Sequence, residues 1–411
     1  MADHELRLVS KAVQEKDIKP ALERGIHPTW FVNQQARTMW EAVIEHWQKY
    51  GVVPAPATLR DQLPGCVLLN VAESYEYLLD AFCEWRSNGL TVEAVQQANV
   101  LIDDENYIGA RQTLLRSLVA IDEANYRGKT SDLDLTQTVD ERIAEYIALR
   151  DLPDGLRGIP TGFPTIDRAT SGLQPQQLIT LIAAPKVGKS TVLEALARNI
   201  WEVGKVPLLF TFEMSNSEQS ARLDSMFTNI AHSKLTTGRI DEYDIRRLEL
   251  RLARLKKGQP FPIIADPGST STLSGIAAKI EEYQPDVAII DGVYLMQDEV
   301  TGEYNTPQAL TNITRGMKRL AQRMNIPIFG ATQALQWKMK GNKLNRDSTG
   351  YSSSFFQDSD VLLGLQHVDA DDDEETDERT LRVLGSRNCP PVSVTLMWDW
   401  TTATFEEYAD E

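Results

Sequence analysis

The sequence predicts an α/β fold with a mostly parallel central sheet, preceded by a smaller all-α domain and a helical linker. Three observations carry this. From Ile159 onward, short apolar runs alternate with helical stretches. Gly188-Lys189-Ser190 stands where one apolar run meets a helix, as a phosphate-binding loop requires. The first 127 residues repeat apolar side chains at three- and four-residue spacing instead.

Residues 1–127 read as a helical N-terminal domain. Trp40, Val43, Ile44 and Trp47 share one helical face, as do Tyr75, Leu78, Leu79 and Phe82. The segment from Gly51 to Ala57 contains two prolines and breaks the helices apart. The tryptophans are expected in a core, and nothing here has catalytic spacing. Residues 128–158 read as a linker. Within it a short amphipathic helix carries Val139, Ile143, Tyr146 and Ile147, serving as a spacer or docking on a neighbouring subunit.

Residues 159–411 read as the α/β domain. The runs Leu178–Ala183, Pro207–Phe212, Val287–Ile290 and Ile326–Gly330 are short and continuously apolar, as strands buried on both faces are. Helices are expected near 190–202, 217–230, 241–256, 273–283 and 307–324, an alternation that argues for a parallel sheet. Two later runs, Val361–Leu365 and Val392–Trp398, are expected to add antiparallel strands at the sheet edge.

Bulk properties narrow the function classes. The chain has 411 residues, 42% hydrophobic and 25% charged, an ordinary globular composition. Its three cysteines are far apart, so neither a disulfide framework nor a zinc ribbon is expected. No apolar run approaches the roughly 20 residues that cross a bilayer, and the first residues lack the apolar core of a signal peptide. A soluble cytoplasmic protein is expected. The net charge of −17 argues against nucleic acid only in sum. Eight carboxylates crowd Asp369–Glu378, which reads as a solvated hairpin tip. Screening over about 8 Å leaves room for a basic track elsewhere.

The phosphate loop runs through Ala184, Pro185, Lys186, Val187, Gly188, Lys189, Ser190 and Thr191. The expected pattern is G-x-x-x-x-G-K-[ST], and Ala183 stands in the first glycine position. Backbone N–H groups would cradle phosphate at a helix N-terminus. Lys189 would reach the β- and γ-phosphates, and the Ser190 hydroxyl would ligate magnesium. The run ending in Asp291 supplies a carboxylate for the metal shell, and Glu213 follows another strand, where a general base for water would sit.

These residues resemble a family. Thr161–Pro175 (TGFPTIDRATSGLQP), the loop itself, Phe212–Ser215 (FEMS), Leu235–Asp244 (LTTGRIDEYD), Ile313–Ala321 (ITRGMKRLA), Ala331–Gln333 and Ser386–Asn388 are similar to the C-terminal domain of DnaB-like replicative helicases, in family order. The resemblance covers about 160–400. It implies a RecA-like P-loop NTPase domain, ATP and Mg²⁺ as ligands, and a homohexameric ring translocating on single-stranded DNA at a replication fork. It implies a catalytic role for Glu213, a metal role for Asp291 and a γ-phosphate-sensing role for Gln333. Arg387 looks like an arginine finger acting on the adjacent subunit's nucleotide. Primase and a helicase loader are the implied protein partners.

After Gln333 comes a segment rich in glycine, asparagine and cations, placed where the family carries a pore loop. Lys338, Lys340, Lys343 and Arg346 are its candidates for DNA phosphate contact. The chain also departs from the family: Gly385 stands where a lysine is usual, and Cys389 where a glycine is usual. Such departures suggest a divergent member, such as a phage-borne one working in a host cytoplasm. Two other readings remain: a RecA- or RadA-type recombination ATPase, and a non-motor ring-shaped scaffold or adaptor.

Overall fold

A computed structural model describes the chain except residues 1–3, 108, 111–112, 115–116, 118–120, 122–133, 153–154, 185, 266–270, 335–353, 369–375 and 409–411. The chain forms two compact units, Met1–Thr138 and Val139–Glu411. No helix among the described residues is long and apolar enough to cross a membrane.

The first unit is helical: His4–Glu15, Lys19–Glu23, Gln34–Tyr50, Pro56–Gln62 and Tyr75–Asp103. Asn33 starts the third of these by accepting from the Gln35 and Ala36 N–H groups, and Gly51 ends it at φ 72°. Left-handed backbone at a helix end favours glycine. Trp40 is fully buried among Leu8, Phe31, Leu79 and Phe82, and its Nε1–H donates to the Ile26 carbonyl at 3.3 Å. Trp30, Trp47 and Trp85 pack around this core.

The second unit opens with the helix Val139–Arg150, which buries no residue. Its Val139, Ile143, Tyr146 and Ile147 are all exposed. A nine-stranded sheet follows: β1 (Leu178–Ala183), β2 (Pro207–Thr211), β3 (Ile263–Ile264), β4 (Val287–Asp291), β5 (Ile328–Gln333), β6 (Val361–His367), β7 (Glu378–Ser386), β8 (Ser393–Asp399) and β9 (Thr404–Glu407). Their order is β3-β2-β4-β5-β1-β6-β7-β8-β9. The inner strands alternate between two cores, as a period of two demands. Leu181, Leu209, Ile289 and Phe329 face the helix Lys189–Glu202. Leu178, Phe210, Ile290 and Ile328 face the helices Leu273–Tyr283 and Pro307–Met324.

The later strands correct one expectation. The run Val361–Leu365 is not an antiparallel edge. β6 lies inside the sheet, parallel to β1, with Ile179 opposite Val361. The reason is the long connection from Gln333 to Val361, which carries the chain back to the starting end of the sheet, as parallel pairing needs. Antiparallel pairing begins one strand later, with β7. Val392–Trp398 is antiparallel as expected, in β8. β7 and β9 lack a continuous apolar run and are found only in the structure. In the acidic segment, Glu378 is the first residue of β7, whereas 369–375 lie outside the described residues.

Trp40→Ala removes the largest fully buried side chain of the first unit. The expected cost is about 3–5 kcal/mol, measurable by urea denaturation followed by circular dichroism. A cost below about 1 kcal/mol would contradict the core described above.

Candidate functional site

The carboxyl ends of four parallel strands meet at one place. In register, Ala183 lies opposite Gln333, Asp291 opposite Ala331, and Thr211 opposite Asp291. Sequence-distant candidates are therefore neighbours, at the end of an open α/β sheet where ligands bind.

From β1 the chain turns through Ala184, Lys186 and Val187 to Gly188, the N-cap of Lys189–Glu202. Pro185 lies outside the described residues. Gly188 has φ +93°, and a Cβ there would come within 2.9 Å of the Phe405 ring and 3.1 Å of Trp398. Backbone conformation and space both demand glycine. No side chain among the described residues caps this helix, so the first-turn N–H groups at Lys189, Ser190 and Thr191 are available to an anion.

Lys189 is only 8% exposed. Its ammonium lies 3.1 Å from Asp291 Oδ1, in close contact with Glu213 Oε1, and 5.3 Å from the centre of the Tyr294 ring. Glu213 is held in a loop between β2 and a capped helix: the Ser215 side chain caps Asn216–Thr228, and the Met214 N–H donates to Thr211 Oγ1 at 3.2 Å. Burial pushes the Asp291 carboxyl up, while Lys189 and the Ser190 hydroxyl favour its ionised form. Asp291 is fully enclosed, and neither oxygen has a well-aligned hydrogen bond among the described residues. A buried carboxylate with unused lone pairs, beside a serine hydroxyl, fits a hard divalent cation such as Mg²⁺.

Gln333 joins the cluster through a residue that sequence reasoning did not single out. Its Nε2 donates to the Tyr294 hydroxyl at 2.8 Å, and that hydroxyl donates to Glu213 Oε1 at 3.0 Å. Burial and Glu213 raise the Tyr294 hydroxyl above the usual tyrosine range, so it stays protonated and donating. Gly292 lets this turn pass close to Glu213: at φ +90°, its Cβ would lie 3.3 Å from Glu213 Oε1.

Glu194 was also missed. It lies in the second turn of the loop helix, completely buried, with Arg222 Nη1 at 3.7 Å. Burial first, and then the Asp291 charge, push its carboxyl up to about 8 against the pull of Arg222. The available signal was a lone acid inside the run Val192–Ala197, whose remaining residues are all apolar.

Arg387 is not brought to this site. It is 56% exposed in its side chain and pairs with Asp360 Oδ1 at 3.1 Å. Asp360 also accepts from the Leu178 N–H at 2.8 Å and from Lys318 at 2.6 Å. Leu178 starts β1, whereas Lys189 follows its end, so the length of this six-residue strand, at about 3.3 Å per residue, lies between the two. Near Arg387, a Cβ on Gly385 would meet the Phe356 ring at 2.9 Å, so an aromatic ring fills the space beside that departure. Lys338, Lys340, Lys343 and Arg346 lie outside the described residues.

Comparison with known proteins gives the family and the fold. The family described as DnaB-like helicase C-terminal domain matches residues 158–407. A replicative DNA helicase DnaB of Buchnera aphidicola subsp. Baizongia pistaciae is 28% identical over 305 residues, 71% of this chain and 65% of that protein. The Geobacillus stearothermophilus DnaB is 26% identical over 293 residues, 68% of this chain and 63% of that one. The chain thus spans just under two thirds of the length of these relatives. A solved DnaB-like replicative helicase, described with its interactions with primase, shares the fold with a TM-score of 0.61 at 17% identity, covering 98% of this chain and 99% of that one. A second solved structure, described as an ATPase domain, gives 0.61 at 19% identity over 67% of this chain and 100% of that one.

Glu194 supplies a pH signature. The folded protein keeps its proton to about pH 8, while an unfolded glutamate releases it near 4.5. Between those values the unfolded state binds fewer protons, so this residue makes stability fall as pH rises and levels off above about 8. Glu194→Gln should lack that slope. Urea midpoints of both proteins across this range test it; parallel pH profiles would contradict the assignment.

Proposed function

The chain belongs to the DnaB-like helicase C-terminal domain family, and from that premise we propose that it is an ATP-dependent DNA helicase that travels on single-stranded DNA as a homohexameric ring and unwinds duplex at a replication fork. The observation that carries this is the cluster of Lys189, Glu213, Asp291, Tyr294 and Gln333 at the head of the sheet. A buried cation with two carboxylates, next to uncapped N–H groups, is suited to triphosphate hydrolysis.

In this reading the backbone from Ala184 to Thr191 cradles the phosphates. Lys189 turns from Glu213 and Asp291 towards the β- and γ-phosphates. Ser190 and Asp291 hold Mg²⁺, which neutralises phosphate charge when bound. Once Lys189 has turned away, Glu213 is free to accept a proton from the attacking water. Its other tie, the Tyr294 hydroxyl, connects it to Gln333. Gln333 ends β5, and the segment holding Lys338, Lys340, Lys343 and Arg346 follows directly. A change at the γ-phosphate therefore has a short covalent and hydrogen-bonded route to the residues proposed to hold DNA phosphates.

Two features support a ring. Arg387 lies at the opposite end of β1 from its own Lys189, as a finger serving a neighbour would. The helix Val139–Arg150 exposes four apolar side chains, and a second copy of the chain is the natural cover for them. Primase and a loader are the further partners this reading carries.

Lys189→Ala should abolish ATP hydrolysis and unwinding of a forked duplex; retained unwinding would defeat the motor assignment, and strand exchange without unwinding would favour a recombinase. Arg387→Ala should bind nucleotide yet lose turnover. Mixing the two variants should recover ATPase activity that neither has alone, because a Lys189→Ala subunit still presents Arg387 to an intact loop. Absence of recovery in mixed rings would count against a finger acting in trans.

A further inference from the structure

The turn after β8 carries a stack of rings that starts at the phosphate loop and ends at an open face. Trp398 and Phe405 both crowd the Gly188 Cα. They are cross-strand partners, with ring centres 5.1 Å apart and planes at 27°. Trp400 stacks on Trp398 with centres 3.5 Å apart and planes at 22°. Trp398 is buried, but Trp400 is 54% exposed.

A single exposed tryptophan is ordinary on a protein surface. This one is held in place from several sides. The buried Arg379 guanidinium lies 5.1 Å from the Trp398 ring and 5.9 Å from that of Trp400, and donates to the Glu378 carbonyl at 2.8 Å. Asp399 accepts from the Thr401 N–H at 2.8 Å and the Thr402 hydroxyl at 2.6 Å. The Thr401 carbonyl accepts from the His232 N–H at 2.8 Å. An aromatic face fixed in this way loses little entropy when a flat ligand covers it. In addition, the buried Trp398 Nε1–H has no acceptor among the described residues, although a buried indole N–H usually finds one. One aromatic face is thus open beside the loop, above a buried indole N–H that is still unpaired.

We propose that Trp400 is the platform on which the base of the bound nucleotide stacks. The ligand class is a nucleoside triphosphate, held by its phosphates at Lys189 and by its base at Trp400. This rests on the nucleotide site proposed above. Stacking accepts every base, since each has a π face. The larger purine rings cover more of the indole, so purine nucleotides bind ahead of pyrimidine ones.

The test is calorimetric titration of the full chain with ATP, CTP and inorganic tripolyphosphate, each with Mg²⁺. Trp400→Ala should weaken ATP binding about tenfold or more, in the range of base–aromatic stacking, and leave tripolyphosphate binding unchanged. Trp400→Phe should recover most of the loss, and circular dichroism checks that each variant is folded. Unchanged ATP affinity in Trp400→Ala would overturn the platform. So would an equal loss of ATP and tripolyphosphate, which would mark Trp400 as a support for the loop. If the wild-type chain bound no tripolyphosphate and Lys189→Ala bound ATP normally, the phosphate site would fail, and the platform with it.

Discussion

An ammonium group buried at the head of a sheet must be neutralised, because an unpaired charge out of water costs several kcal/mol. Lys189 meets that requirement with Glu213 on one side and Asp291 on the other. The three residues come from three different strand–loop junctions, so their pairing fixes β1, β2 and β4 relative to one another at the end where a ligand would enter. The same pairing leaves the site ready for a competing anion. In the proposed function a triphosphate would offer Lys189 more negative charge than two carboxylates do, and Glu213 would then be released to act as a base. The stability of this cluster and the chemistry proposed for it draw on the same cation.

A second constraint comes from below the loop. Gly188 has room for no side chain because Phe405 and Trp398 occupy the space a Cβ would need. These rings belong to the last two strands, more than 200 residues further on in sequence. The antiparallel extension of the sheet therefore does more than close an edge. It shapes the phosphate loop, and it places the ring stack next to it.

Asp360 organises the far end. One carboxylate accepts from the first residue of β1, from Lys318 and from Arg387. The site at one end of β1 and the arginine at the other are thus tied to the same strand, with the strand's length between them. This separation is the geometry on which the proposed role of Arg387 in a neighbouring copy rests.

Strand and helix positions in the second unit were legible because buried parallel strands are continuously apolar and their crossover helices are amphipathic. Leu178–Ala183 and Pro307–Met324 have the same limits in sequence and structure. The direction of β6 was not legible, since an apolar run carries no sign of which end its chain enters from. β7 was invisible because a charged residue, Arg379, occupies the first inward position of its alternation. Among site residues, Lys189, Asp291 and Glu213 could be named from motif spacing, because Lys189 opens a helix, Asp291 closes a strand and Glu213 follows one; Gln333 came only from the family resemblance. Tyr294 and Glu194 could not, because their roles come from partners 81 and 28 residues away. The phosphate loop itself is a local property, a strand, a glycine turn and a helix start, and sequence alone determines it. What surrounds the loop was decided only by tertiary structure, because contacts across sheet register depend on strand order, which no local pattern encodes.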